Sequence, residues 1–285
     1  MPHSPIALYV PAPGAGFDVS SAHLIPSFRM LSMRGLAVAS SLRMNNKGPD
    51  RRRISSDGRN QISLSRSRIF LLSPANLAGI RAGYILRANA NSALACRLRQ
   101  NGVPLGELFS FVSGLYFRGK LAYARAFALP PPSLSGSFVI TATGGLLPPE
   151  TVVTLDRLRE FAASDIDPNN ERYRAPLDHD CRLISDLAGS SCDVVLLGSV
   201  ATPKYVEPLL HVFRERLVFP AEFVGRGDMS RGGLLLRCVA ASEELVYTPV
   251  LNATRRGPRP PKLPQLIPHR SESRDSESGE KPPPA

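Results

Sequence analysis

Blocks of apolar and polar positions alternate along the middle of this chain, and their period switches from strand-like to helix-like and back. Arg68–Ser73 (RIFLLS) is a short continuous apolar run that stops at Pro74, the pattern of a parallel strand buried on both faces. Ala78–Leu98 has helical spacing interrupted near Asn89–Asn91, and Phe117–Phe127 places Leu121, Ala124 and Phe127 on one helical face. Ser137–Thr143 reads as a second strand that runs into Gly144-Gly145. A helix then opens at Pro149-Glu150, where a missing N–H costs no intrahelical bond, and continues to Ala163. Leu177–Ala188 predicts another helix, and Asp193–Val200 (DVVLLGSV) is the clearest strand. Thr202 caps a helix over Pro203–Phe213, Arg216–Phe219 is a fourth strand, Met229–Ala240 a closing helix, and Leu245–Val250 an edge strand. Strands alternating with helices predict an α/β fold: a mostly parallel sheet with helices on both faces, and disordered N- and C-terminal extensions.

The 285 residues carry a net charge of +11, and its location changes what it means. Residues 1–67 hold nine Lys/Arg against three Asp/Glu, and residues 255–285 hold seven against four, so the middle is nearly balanced. A basic chain points to nucleic acid, but here the basicity belongs mostly to the ends. Residues 1–67 are rich in Ser, Pro, Gly, Asn and Arg, and cannot bury enough apolar surface to offset their ordering entropy. They read as a disordered basic arm, or as an over-extended start with Met30, Met33 or Met44 as the natural beginning; the functional alternative is a nucleic-acid-binding arm. The expected organisation is therefore an arm over 1–67, one α/β domain over 68–254, and a disordered Pro/Ser-rich tail over 255–285.

Cys96, Cys181, Cys192 and Cys238 are widely spaced, without the paired ligands of a zinc site, and read as buried free thiols. No cofactor or metal is expected. No apolar run approaches the ~18–20 residues of a membrane span, and Gly35–Leu42 is too short and too far from Met1 for a signal core. A cytoplasmic protein without a membrane partner is the expectation.

Ligands of open α/β sheets lie beyond the carboxyl ends of the strands. Four loops leave those ends here: Ser73–Asn76, Thr143–Leu146, Gly198–Thr202 and Pro220–Arg231. The last has two glycines and sets Arg226 and Arg231 around Asp228, a turn suited to holding an anion at a helix start. Ser73, Asn76, Arg118, Lys120, Ser199, Lys204, Arg226 and Arg231 are the candidate ligand- or phosphate-binding residues. In Ser110–Lys120 (SFVSGLYFRGK) aromatics interleave with bases, so Tyr116 and Phe117 are candidates for stacking on nucleobases. Glu107 and Asp228 are the candidate acid/base catalysts, with a helix-start carboxylate as the bland alternative for Glu107. Gly198–Lys204 (GSVATPK) lacks the spacing of a phosphate loop, which excludes that route to nucleotide hydrolysis. The D-x-D pairs Asp165/Asp167 and Asp178/Asp180 lie in a polar segment and read as solvated loop rather than metal site.

In order along the chain stand LSPAN (Leu72–Asn76), SGLY (Ser113–Tyr116), GSVATPKYV (Gly198–Val206) and GRGDMSR (Gly225–Arg231). This series resembles the YaaA family of peroxide-stress proteins, with Asn76 where that family carries a lysine. Val139–Glu150, ending GLLPPE, also resembles a passage of related uncharacterised bacterial α/β domains. The resemblance implies an α/β protein that binds DNA and limits oxidative damage. The leading expectation is a nucleic-acid-binding protein acting in oxidative-stress response or DNA maintenance. The alternative is an enzyme acting on a nucleotide or nucleobase, glycosylase- or transglycosylase-like. The partner is accordingly nucleic acid or a nucleotide, and the sequence leaves open whether the chain is an enzyme.

Overall fold

A computed structural model of the chain describes residues 66–264 except Ser133. The proposed arm therefore lies outside the described residues but for its last two positions, as does the tail beyond residue 264.

The chain enters on β1 (Arg68–Leu72) and passes through α1 (Ile80–Leu86), α2 (Ala93–Gln100), β2 (Val103–Pro104), α3 (Leu105–Ser113) and α4 (Leu115–Phe127). It continues through β3 (Ser137–Ile140), β4 (Leu146–Leu147), β5 (Val152–Val153), α5 (Leu155–Ala162) and α6 (Glu171–Ala188). The last third holds β6 (Asp193–Leu197), α7 (Pro203–Phe213), β7 (Leu217–Pro220), α8 (Asp228–Ala241) and β8 (Tyr247–Pro249). The main sheet has the order β4-β3-β1-β6-β7-β8. Its four inner strands are parallel, and β4 and β8 close the two sides antiparallel. β2 and β5 form a separate antiparallel pair.

β1 and β6 lie at the centre, and Ile69–Leu72 and Val194–Leu197 are fully buried, as unbroken apolar runs require of strands covered on both faces. From β1 the chain moves one way to β3, and from β6 it moves the other way to β7. Right-handed crossovers in opposite directions put α4 and α7 on opposite faces. α8 packs on α4, and α6 packs on α7, completing the two outer layers. The reversal lies between β1 and β6, so their carboxyl ends diverge into a crevice.

The structure differs from the sequence pattern in four places, each with a physical cause. The helix expected from Pro149-Glu150 begins only at Leu155, capped by Thr154, because Val152–Val153 pairs with β2 as β5. Ser110–Lys120 is two helices rather than one segment, because Gly114 turns the chain at φ +61°, with an Arg81 guanidinium where a Cβ would be. α6 starts six residues before Leu177 despite Pro176. Asn170 caps it, and buried Tyr173 donates its hydroxyl to Lys204 O at 2.8 Å, offsetting the proline. The residues just past 254 lie against the body: Pro258 O sits where a Cβ of Gly225 would be, and Arg226 Nη1 donates to Pro261 O. Among the described residues no helix is long and apolar enough to cross a membrane, and the four cysteines are free thiols.

Candidate active site

Ser73 follows β1 directly, beside Gly198 at the end of β6, so it stands at the reversal point of the sheet. Its N–H donates to Leu197 O at 3.2 Å, and Pro74 restricts its backbone to extended conformations. Gly198 is required for close approach: a Cβ there would lie 3.0 Å from Ser73 Cβ and 3.2 Å from Ser73 Oγ. The Ser73 side chain thus has a fixed anchor and a cleared flank.

Behind it is Lys120, 1% exposed. Its Nζ reaches Ser73 O at 2.5 Å and Ser73 Oγ at 2.9 Å, and stands over the rings of Tyr116 (4.4 Å) and Phe117 (5.0 Å). Burial pushes its ammonium pKa down from 10.5 to about 7, with Asp228 opposing and Arg231 adding to the shift. Burial similarly raises the Tyr116 phenol to about 12. Its hydroxyl has no hydrogen-bond partner among the described residues.

A glycine-to-glycine crossing of α4 and α8 sets this arrangement. A Cβ on Gly119 would lie 2.7 Å from Gly232 O, and one on Gly232 would lie 2.8 Å from both Leu115 O and Tyr116 Cα. With no side chains between them, the backbones approach closely. Tyr116 and Lys120 of α4 then meet the first turn of α8, with its Asp228 and Arg231.

In front of Ser73 opens a cavity of about 650 Å³, bounded by the loops after β1 and β6, the end of β3, and the starts of α7 and α8. Phe109, Tyr116, Phe161 and Tyr205 give it aromatic walls, and Asp165 and Asp167 bring carboxylates. The backbone N–H groups of Ala75, Asn76 and Leu77, residues that border the cavity, make no hydrogen bond among the described residues. Aromatic walls with a few convergent polar groups are the chemistry of a small-molecule site.

The residues expected from sequence fall into three groups. Ser73, Asn76, Tyr116, Ser199, Lys204 and Asp228 line the cavity. Lys120 and Arg231 lie behind its wall. Arg231 is 7% exposed, donates to Phe223 O at 2.9 and 3.2 Å, and meets Asp228 at 3.7 Å, tying α8 to the preceding turn. Glu107, Arg118, Phe117 and Arg226 lie elsewhere. Glu107 is in the first turn of α3, paired with Arg97 at 2.7 Å, and Arg118 is exposed. Phe117 is fully buried against Phe109, leaving no free ring face for a base. Arg226 belongs to a second crevice of about 330 Å³ between α8 and residues 259–263, where Arg237, Arg259 and Lys262 gather and, among the described residues, no acid does.

Sequence reasoning missed Phe161 and Tyr205 as cavity walls, and took Asp165 and Asp167 as plain loop. Phe161 and Tyr205 sit at ordinary core positions of amphipathic helices, and nothing in the sequence says that their faces border empty space. No family model, curated protein or solved structure matches the chain.

Proposed function

We propose that the protein is an enzyme acting on a nucleotide or a nucleobase-bearing small molecule bound in the crevice between β1 and β6. The observation that carries this reading is a buried lysine, hydrogen-bonded to a serine that borders a ligand-sized cavity at the reversal of an α/β sheet. Strongly shifted groups, such as a lysine pushed down to about 7, cluster at functional sites. The walls favour a heterocycle with attached polar groups: aromatic faces for the ring, Asp165 and Asp167 as acceptors for ring N–H or sugar hydroxyls, and the N–H groups of the Ala75–Leu77 loop as donors for an anionic end.

Free bases, nucleosides and nucleotides should be screened by thermal shift on the full chain. A binder at about a hundred times its Kd stabilises by roughly 2.7 kcal/mol. Asp165→Ala should abolish the response while leaving the unliganded melting temperature within about a degree, as for an exposed change. A flat response across all three ligand classes would remove the reading.

A second reading is supported by the second crevice. Four cations surround it, Arg226 Nε is buried without a partner among the described residues, and the motif series resembles the YaaA family. On that reading the chain binds nucleic acid in oxidative-stress response or DNA maintenance. A labelled DNA duplex should then bind the full chain with affinity falling steeply with salt. The double variant Arg226→Ala/Arg237→Ala should lower the log–log salt slope by about 2, one unit for each phosphate no longer neutralised. An unchanged slope would place any DNA binding outside this crevice.

A further inference from the structure

We propose that Ser73 is a nucleophile and Lys120 its general base, forming a catalytic dyad for acyl transfer from an ester or amide. This rests on the reading of the crevice as an enzyme site and specifies its chemistry. In a site that takes a nucleotide, the substrate is an acyl group carried on that nucleotide.

The geometry separates the two roles. Ser73 borders the cavity, whereas Lys120 does not and is 1% exposed. Ser73 is thus the group placed to attack a ligand in the cavity, and Lys120, in contact with its Oγ, the group placed to move protons at the point of attack. Nζ lies 2.9 Å from Oγ, within reach for proton transfer. Its second contact, to Ser73 O, fixes the amine from behind, so one N–H is held while the lone pair turns to the hydroxyl. The groups facing Lys120 are Asp228 and Arg231 of α8 and the rings of Tyr116 and Phe117 on its own helix. Asp228 raises and Arg231 lowers its proton affinity, so burial decides, and part of the population carries a neutral amine near pH 7.

Atoms and electrons balance at each step. The Lys120 lone pair takes the Ser73 hydroxyl proton while the Oγ electron pair forms a bond to the substrate carbonyl carbon, and the π pair moves to oxygen. The N–H groups of the Ala75–Leu77 loop, which make no hydrogen bond among the described residues, are the donors on hand for that oxyanion. Collapse breaks the bond to the leaving alcohol or amine, which leaves with the proton from Lys120. Water then attacks the acyl-serine, Lys120 accepts its proton and returns it to Oγ, and the acid is released.

The test is covalent labelling of the full chain by a fluorophosphonate and by 4-nitrophenyl acetate, followed by intact mass and peptide mapping. One adduct on Ser73 is expected, with a labelling rate rising with pH through a midpoint of about 7. Ser73→Ala should lose the adduct. Lys120→Met should slow labelling by about 10²–10⁴-fold, the usual worth of a general base, and erase the midpoint. Gly198→Ala keeps both groups but sets a methyl 3.0 Å from Ser73 Cβ and 3.2 Å from Oγ, so the serine must shift slightly; labelling should slow while the lysine-dependent midpoint persists. No Ser73 adduct with either probe, or an adduct whose rate ignores Lys120, overturns the dyad. Nucleotide-induced stabilisation without labelling would reject the dyad and keep the crevice as a nucleotide site; labelling without nucleotide response would keep the dyad and reject the nucleotide as its substrate class.

Discussion

Replacing Gly232 by valine is expected to destabilise the protein severely, although Gly232 lies on a helix and touches no ligand. Its absent Cβ falls 2.8 Å from Leu115 O and Tyr116 Cα, and 2.9 Å from Leu115 C. Every obstructing atom is backbone, so no rotamer change relieves the clash, and α8 must move off α4. Overpacking a core typically costs about 1–3 kcal/mol, and a backbone-on-backbone clash belongs at or above the top of that range. Against a typical domain stability of about 5–15 kcal/mol, that is a large share. The neighbouring glycine supplies the control. A Cβ on Gly233 meets only Leu263 Cδ1 at 3.7 Å, so Gly233→Ala should be neutral or gain up to about 1 kcal/mol of helix propensity. Urea unfolding of the two variants beside the parent chain reads both. Equal midpoints for the two would mean that the helices do not cross through glycine.

Lys120→Met should change how stability depends on pH. The folded-state pKa of Lys120 is about 7 against an ordinary 10.5. Between those values the unfolded chain holds a proton that the folded chain has released, so stability rises with pH across the window. Below pH 7 both states are protonated, and the full cost of the buried charge is present and constant. At about 1.4 kcal/mol per pH unit the gain across the window amounts to several kcal/mol. The methionine variant has no such group. The stability of the parent minus that of the variant should therefore climb from about pH 7 toward pH 10 and stay flat below. Denaturant titrations at stepped pH measure it. Parallel curves would show that the amine keeps its ordinary pKa, and would also remove the basis for its role as a base.

The main strands and most helices were legible because their burial is written in the chain. Ile69–Leu72 and Val194–Leu197 are unbroken apolar runs because both faces of the central strands are covered. The position of Ser73, Asn76, Ser199 and Lys204 around one cavity could be anticipated because loops at strand carboxyl ends converge in any such sheet. What was illegible depends on contacts distant in sequence. Lys120 looked like one more base on an aromatic helix, and only the packing of α4 on α8 reveals it as buried behind a serine 47 positions earlier. Arg231 and Arg226, five residues apart, looked like one anion clamp, yet one is tied to Phe223 O and the other faces the second crevice. The start of α6 was hidden by Pro176, whose cost tertiary contacts at Tyr173 offset.

The short antiparallel strands at either side of the main sheet bear on how the protein behaves at high concentration. A parallel sheet left open would present rows of unpaired N–H and C=O groups to any other copy of itself, a template for aggregation. Here the outer positions are taken by β4, two residues long, and β8, three residues long and ending in Pro249, which has no N–H to offer. Tyr123 fastens the second of these from within, accepting from Leu245 N at 2.8 Å and meeting the Tyr247 hydroxyl at 2.9 Å. Weakening that fastening would bare β7, with its fully apolar Leu217–Phe219, and convert a capped margin into an adhesive one.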